Sequence, residues 1–558
     1  MSGFAACSNS AALSSLRTSP ASEVGATGTR RQEGVLITYR SAAVTGGAIF
    51  AALEEVFGIQ FCFTKAEAGE SQADILVADR SGEKEGIQLA GSSLEMGASM
   101  PSSSQRDLTQ LDVSFSGDPD VPFPFRSRSL RTKATRIPRS LVPKPGEKIL
   151  ATTNNLPVWL CSAEGTVKRY RSALPVPSLS PGESLCQVFN GERFLELLPL
   201  IQWLRELRPV GGSEGPPLRA SFIFDDPNLH WPRYGFVDYR QVAAHASRHN
   251  YHAGFATIPL DAWFTHKPTA GLFRNNSDRL SLLVHGNNHI KEELAQPYTE
   301  GERVFLLQQA LQRIEHLERV SGCNVCRVMV PPHGACSEDM LAEMPRTGFE
   351  SACISHGSLK AHNRGAAWTP NLGILQSETI RACPVLPRWG MNGDLFNTIL
   401  VAAYCRQAII IRGHHQDLKG GIEKLDKIAG FINALGTVAW GDMTKVARQN
   451  YERVMDRSNY RIRPLGWKLE VQLPEAAQSM TIESPACTAW DRWILRSSRG
   501  VAVEARVGEA VSVVDTADRH WSIEALTQSV EQERPRKGVP LVAVARRLLT
   551  ESRDRLWI

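Results

Sequence analysis

SFIFDDPNLHW, residues 221–231, joins a short apolar run to a pair of carboxylates, and LSLLVHGNNH, residues 280–289, joins another to a pair of imidazoles. Each run has the length of a strand rather than a helix. Each ends in residues that a core rejects unless they are paired or put to use. The pattern continues on both sides. From Leu218 to about Asn450, the runs SFIF, AGFATIPL, LSLLV, RVMV, SACIS, ACPVL and AIII alternate with segments such as YRQVAAHASRHN and RVFLLQQALQRIEHLERV, whose apolar residues fall three and four apart. Alternating strand and helix signals predict βα units around a parallel sheet or barrel. In such folds, polar residues just beyond the carboxyl ends of strands converge on one site. Here those residues are Asp225 and Asp226, His285, Pro331 to Gly334, His356 and His414. Thirteen of the fourteen histidines lie between His230 and His415, which marks the same segment.

At a strand end, successive side chains point in different directions. One aspartate of the pair can therefore hold a metal while its neighbour faces a substrate. An Asp-Pro-Asn turn accounts for the pair equally well when it is read alone. In HGNNH a helix would place both imidazoles on one face, but Gly286, Asn287 and Asn288 are poor helix formers directly after an apolar strand. A loop is therefore predicted, with His289 leading into a helix at IKEEL. Two imidazoles and one carboxylate make a three-ligand site with open positions, the arrangement of catalytic zinc. Cobalt, nickel, manganese or iron also suit such nitrogen and oxygen donors.

The flanking sequence differs in character. A chain of 558 residues predicts two to four domains. Residues 1–33, rich in Ser, Ala, Thr and Gly without an apolar core segment, are expected to form a disordered tail. Residues 34–215 read as an N-terminal α/β domain, with strands at VLITY and ADILVA, a helix at AIFAALEEVFG and a hairpin at KILATTNNLPVWLCS. Within it, the Ser-, Pro- and Arg-rich stretch Ala98–Pro145 is expected to be a long irregular loop. Residues 216–450 form the candidate catalytic unit. Residues 451–558 alternate apolar with polar residues and predict a β-sandwich, closed by a helix at PLVAVARRLLTES.

With 42% hydrophobic and 22% charged residues, the composition is that of a globular protein. The net charge of +5 is dispersed, which argues against a nucleic-acid or membrane partner. The longest apolar stretch, Thr398 to Ile411, is broken by Arg406 and Gln407 and falls short of the roughly 20 residues of a membrane helix. Eleven scattered cysteines, with one CxxC pair at Cys323 and Cys326, argue for a reducing compartment; a cytoplasmic location is expected.

The succession FIFDD, HGNNH, VPPHG, PRW and IIIRGHHQD resembles, in order and approximate spacing, the motifs of the polysaccharide deacetylase or NodB-homology superfamily, the fourth family of carbohydrate esterases. The resemblance covers Leu218 to about Asn450 and implies a distorted (β/α)7 barrel. It makes Asp225 the catalytic base and Asp226, His285 and His289 the ligands of a divalent metal, zinc first. Pro332, His333 and Gly334 match the end of the third motif, where a backbone N–H holds the oxyanion. Trp389 corresponds to an aromatic wall. His414 or His415 corresponds to the general acid, with His414 favoured at the strand end and His415 on the rim. Asn228 and His230, just past the base, are candidates for contact with a sugar ring. The implied reaction is removal of an acetyl group from an N- or O-acetylated carbohydrate. Two departures stand out. Val330 occupies the place of the arginine that usually orients the base, a role for which Arg327 or Arg388 is the candidate, and Gly286 replaces the usual Ser or Thr. Hydrolysis of another bond, or sugar binding by a degenerate deacetylase domain, are the alternative readings.

Overall fold

A computed structural model describes residues 34–39, 47–65, 75–79, 92–97, 108–135, 137–165, 167–207, 215–366, 368–485, 487–512, 519–526 and 541–556. The expected N-terminal tail lies outside the described residues. The seven apolar runs of the central segment form seven strands: β1 (Arg219–Asp225), β2 (Ala253–Thr257), β3 (Leu280–His285), β4 (Val325–Val330), β5 (Ser351–Cys353), β6 (Cys383–Leu386) and β7 (Ile409–Gly413). They lie in the order β6-β5-β4-β3-β2-β1-β7, and every neighbouring pair is parallel. The sheet curls. Two residues after β6, the chain pairs with the free edge of β7, Trp389 opposite Ile411 and Gly390 opposite Arg412. Pro387 and Arg388 thus span the gap between the two ends of the sheet.

Because strand side chains alternate, the curl gives each strand an inner and an outer row. Phe222 and Phe224, Leu282 and Val284, and Ile409 and Ile411 belong to the large outer core under the helices. Ile223, Ala256, Leu283, Val328, Val330, Leu386 and Ile410 form a separate inner core. Met443, Val446 and Ala447, from the helix Met443–Arg448, join that inner core and close its lower end. The upper end stays open to receive polar groups.

The outer core continues without a break into the N-terminal segment, so the first two units share one apolar interior. That segment carries a nine-stranded mixed sheet, in which residues 109–115 pair antiparallel with both 129–134 and 148–153. The two outermost of these strands overturn the expected loop at Ala98–Pro145. Leu111, Val113 and Phe115 alternate with exposed residues and bury one face, a period-two signal masked by the surrounding Ser, Pro and Arg. In the hairpin, Asn154 and Asn155 both adopt positive φ, the conformation that a two-residue turn demands. The C-terminal segment forms two four-stranded sheets around a core of Trp467, Trp490, Trp493 and Trp521. Cys323 and Cys326 are buried free thiols.

The last helix, Leu541–Leu556, packs on the central unit, with Ala543 against Ile258 and Leu260. Arg547 donates to both oxygens of Asp261, at 3.2 and 2.7 Å, and the Glu551 carboxylate lies 3.1 Å from His230 Nδ1. All four side chains are buried. Breaking a buried ion pair by removing one partner costs about 3–5 kcal/mol, because the remaining charge stays desolvated. Asp261→Ala is therefore expected to lower stability by about that amount and to expose the amides of 541–556 to hydrogen exchange, measured by denaturant melts and mass spectrometry.

Candidate metal centre and active site

The inner rows, continued past the strand ends, supply the site. Ile223 leads to Asp225, Leu283 to His285, Leu386 to Arg388, and Ile410 to Arg412 and His414, each step two residues along an inward-facing row. These residues, with Asp226, His289, His333, Gly334, Ser355 and Ser358, line one cleft of about 270 Å³.

Asp226 has the wrong parity to face inward and gets there by a backbone turn, φ +84°. A non-glycine residue in that region is uncommon and strained, a feature that gathers at functional sites. The turn brings its Oδ1 within 3.1 Å of His289 Nε2 and 3.5 Å of His285 Nε2. The ligand atoms of the three residues all lie within 4.8 Å of one another, a spacing suited to holding one cation. Asp226 Oδ1 is buried and accepts no hydrogen bond, which fits a carboxylate shaped for a metal rather than for protein donors. His285 Nδ1 donates to the carbonyl of Val330 at 2.9 Å, leaving Nε2 facing Asp226 Oδ1 and available to a metal. Burial pushes the Asp226 carboxyl up, but His285 and His289 beside it hold it well below the usual carboxylate range.

Asp225 is 3% exposed, and its two oxygens accept from Arg388 Nη1 at 2.7 and 3.0 Å. Burial raises the carboxyl; Arg388, His285 and His414 more than offset this and keep it below its ordinary value. Val330, where the resemblance led to the expectation of an arginine, belongs to the inner core, and the guanidinium on Asp225 comes from Arg388. Arg327 turns away to Glu318. His414 Nε2 lies 3.9 Å from Asp225 Oδ2, and its backbone N–H donates to Asp417. His415, one residue out of phase, stacks on Phe236 and meets the edge of Tyr234 outside the cleft.

The HGNNH loop folds round a residue absent from the sequence reading. Glu293 Oε1 accepts the N–H of Asn287 at 2.7 Å and of His289 at 3.0 Å, while Oε2 accepts that of Asn288 at 3.0 Å. Arg313 holds the Asn287 and Asn288 side chains from the helix Glu300–Ser321. The helix expected at IKEEL is therefore absent; Glu293 bonds to the loop amides, and the helix begins only after the Thr299 cap. Gly286 sits at φ +62°, and a Cβ there would strike the Glu293 carboxylate and the Pro332 ring.

The other expected residues are spread more widely. Among the third-motif residues, Pro332 has no N–H and packs on Gly286, and the Gly334 N–H is committed to the Pro331 carbonyl. That leaves the backbone N–H of His333, at φ +56°, beside the cleft. Trp389 is half-buried against the outer core rather than in the cleft. Asn228 and His230 are buried and do not line the cleft: Asn228 donates to Asp261, and His230 lies between the Asp261 carbonyl and Glu551. Arg412 was not singled out in the sequence, although its phase with Ile410 is legible there.

No family model matches the chain, and no curated protein matches it. Among solved structures, Agd3, a novel carbohydrate deacetylase, is similar at 9% identity, covering 86% of this chain and all of that one, with a TM-score of 0.43. A family 4 carbohydrate esterase from Streptomyces lividans, in complex with acetate, matches at 11% identity over 42% of this chain and 94% of its own, TM-score 0.26. BA3943, a CE4 family pseudoenzyme from Bacillus anthracis, matches at 11% identity over 44% of this chain and 72% of its own, TM-score 0.27. Among the described residues, no helix is long and apolar enough to cross a membrane.

Gly286→Ala is expected to cost about 1–3 kcal/mol in backbone strain and to weaken zinc binding about 10- to 100-fold by displacing Glu293. Calorimetric titration of the metal-free protein with zinc checks it.

Proposed function

We propose that the chain is a metal-dependent hydrolase that removes an acetyl group from an N- or O-acetylated carbohydrate. The observation that carries the reading is the convergence, at the open end of one curled sheet, of a cation-sized Asp226–His285–His289 cluster with a second carboxylate fixed by an arginine. A divalent ion held by these three residues, zinc first among candidates for this donor set, would supply Lewis-acid polarisation of the acyl carbonyl and acidify water.

The remaining work falls to the chain's own groups. Arg388 occupies Asp225 from one side and keeps it anionic, so that the carboxylate is ready to accept a proton from the attacking water. The backbone N–H of His333, a residue lining the cleft, is assigned to the acyl oxygen on which negative charge builds, since a preorganised donor there would stabilise it without reorganising. His414, 40% exposed at the mouth, is placed to deliver a proton to the departing nitrogen or oxygen. Its Nε2 lies 3.9 Å from Asp225 Oδ2, which puts the acid and the base of this reading within reach of one acyl group. The barrel-like arrangement suits this division, since each role comes from a different strand end.

Two measurements test the reading. Metal analysis of the purified protein is expected to find about one transition-metal ion per chain, lost in Asp226→Ala and in His285→Ala; a metal-free wild-type protein would remove the basis of the proposal. Asp225→Asn, His414→Ala and Arg388→Gln are each expected to retain the metal and lower acetate release from acetylated oligosaccharides by about 10²- to 10⁴-fold. If any of the three releases acetate at the wild-type rate, its assigned role is wrong.

A further inference from the structure

Arg412 stands on β7 in the inward row between Ile410 and His414, and it lines the metal cleft. Among the described residues it makes no hydrogen bond and no ion pair. Its neighbours across the ladder are Ile223 on β1 and Gly390, and neither side chain can accept a hydrogen bond. Gly390 also leaves room beside it, since a Cβ added there would lie 4.0 Å from Arg412 Nη2. A half-buried guanidinium without a partner is unusual, because the cost of desolvating the charge is repaid by an opposite charge or by acceptors.

The cleft has no acid to spare for it. Asp225 takes Arg388 on both oxygens, and Asp226 faces His285 and His289. Among the described residues, the lining holds no other carboxylate and no apolar side chain; the rest is imidazole, hydroxyl, guanidinium and one glycine. With the imidazoles neutral, the two aspartates and two arginines cancel, so a divalent ion held by the cluster leaves two positive charges uncompensated. A cleft lined by one sign of excess charge focuses its field on an incoming anion. A neutral donor is unspent as well: Ser355 donates its hydroxyl proton to Ser358 Oγ at 2.8 Å, and the Ser358 hydroxyl has no acceptor of its own among the described residues.

Volume decides where the anion sits. About 270 Å³ falls just under the roughly 300–1,000 Å³ usual for sites of drug-sized ligands. That leaves room for a single sugar unit rather than several, so the charge that meets Arg412 belongs to the unit whose acyl group meets the metal cluster.

We propose that Arg412 makes the cleft specific for an acidic sugar, by receiving an anionic group, a carboxylate or a phosphate ester, carried on the acetylated unit itself. The guanidinium fork matches either group with two parallel hydrogen bonds. The proposal rests on the deacetylase reading above and narrows its substrate to an acetylated sugar that bears a negative charge.

The full-length, metal-loaded wild type, Arg412→Gln and Arg412→Lys test it with sugars matched at the acetamido group: N-acetylglucosamine and N-acetylgalactosamine, their 6-phosphates and their uronic acids. Ligand-detected NMR reads binding and released acetate in the same sample. The wild type is expected to bind at least one acidic sugar at least about tenfold more tightly than its neutral parent, with the same preference in KM for any sugar it turns over. Arg412→Gln is expected to abolish that preference and Arg412→Lys to keep part of it. Since Arg412 has no partner to lose, both variants are expected to keep the wild-type melting temperature and metal content. The favoured acid tells carboxylate from phosphate. No preference for any acidic sugar in the wild type would overturn the proposal, as would a preference that survives in Arg412→Gln, which would put the anion on the metal. A preference lost in Arg412→Gln, with no acetate released from any sugar, would uphold the anion site and sink the hydrolase reading. Acetate released equally well from neutral and acidic sugars would do the reverse.

Discussion

A carboxylate and a guanidinium, each 3% exposed, meet above the inner core where the two ends of the sheet are joined. Neither charge could remain there alone, since an isolated ion in such surroundings neutralises or drags water in. Together they set a fixed negative group beside a cation-sized cluster, in a cleft roofed by imidazoles. The arrangement needs the curled sheet, because only the curl brings Asp225 on β1 and Arg388 after β6 to the same point from positions 163 residues apart in the chain. The pair is a structural weld, and under the proposed reaction it is also the means of keeping Asp225 charged.

Much of this was legible in the sequence. The seven apolar runs gave the strands, and their polar ends gave the Asp226, His285 and His289 cluster, because strand-end chemistry is local and strand periodicity is strong. The choice between His414 and His415 follows from phase: counted from Ile410, one faces in and the other out. What stayed hidden depended on contacts distant in sequence. Glu293 looks like an ordinary helix-opening acid until it is seen with three loop amides around it. Arg388 could be named only as one of two candidates, since nothing local says which guanidinium reaches a strand on the far side. Asn228 and His230 seemed suited to a sugar because they follow Asp225 and Asp226, yet their partners, Asp261 and Glu551, lie 33 and 321 residues away. The strands at 109–115 and 129–134 were obscured by composition, although alternation was present.

Backbone strain is present where these contacts gather. Asp226, His289 and His333 all adopt positive φ, and Gly286 does so where no side chain would fit. Each such residue costs of order 1–3 kcal/mol, and each is held by something outside itself: Asp226 N–H by the Ala256 carbonyl, His289 N–H by Glu293, and the turn at His333 by the hydrogen bond across Pro331 and Gly334. The site is thus shaped by its supports as much as by its own side chains.

The span at Pro387 and Arg388 has a further implication. Leu386 still pairs with β5 and Trp389 already pairs with β7, so the two intervening residues act as a ruler between opposite edges of the ring. A proline in such a span removes one amide that would otherwise need an acceptor and limits how the backbone can bend. Lengthening or shortening it by one residue would rotate the arginine out of phase with Asp225 while leaving every strand intact. Among related sequences, this two-residue frame should therefore resist insertions that the surrounding loops accept.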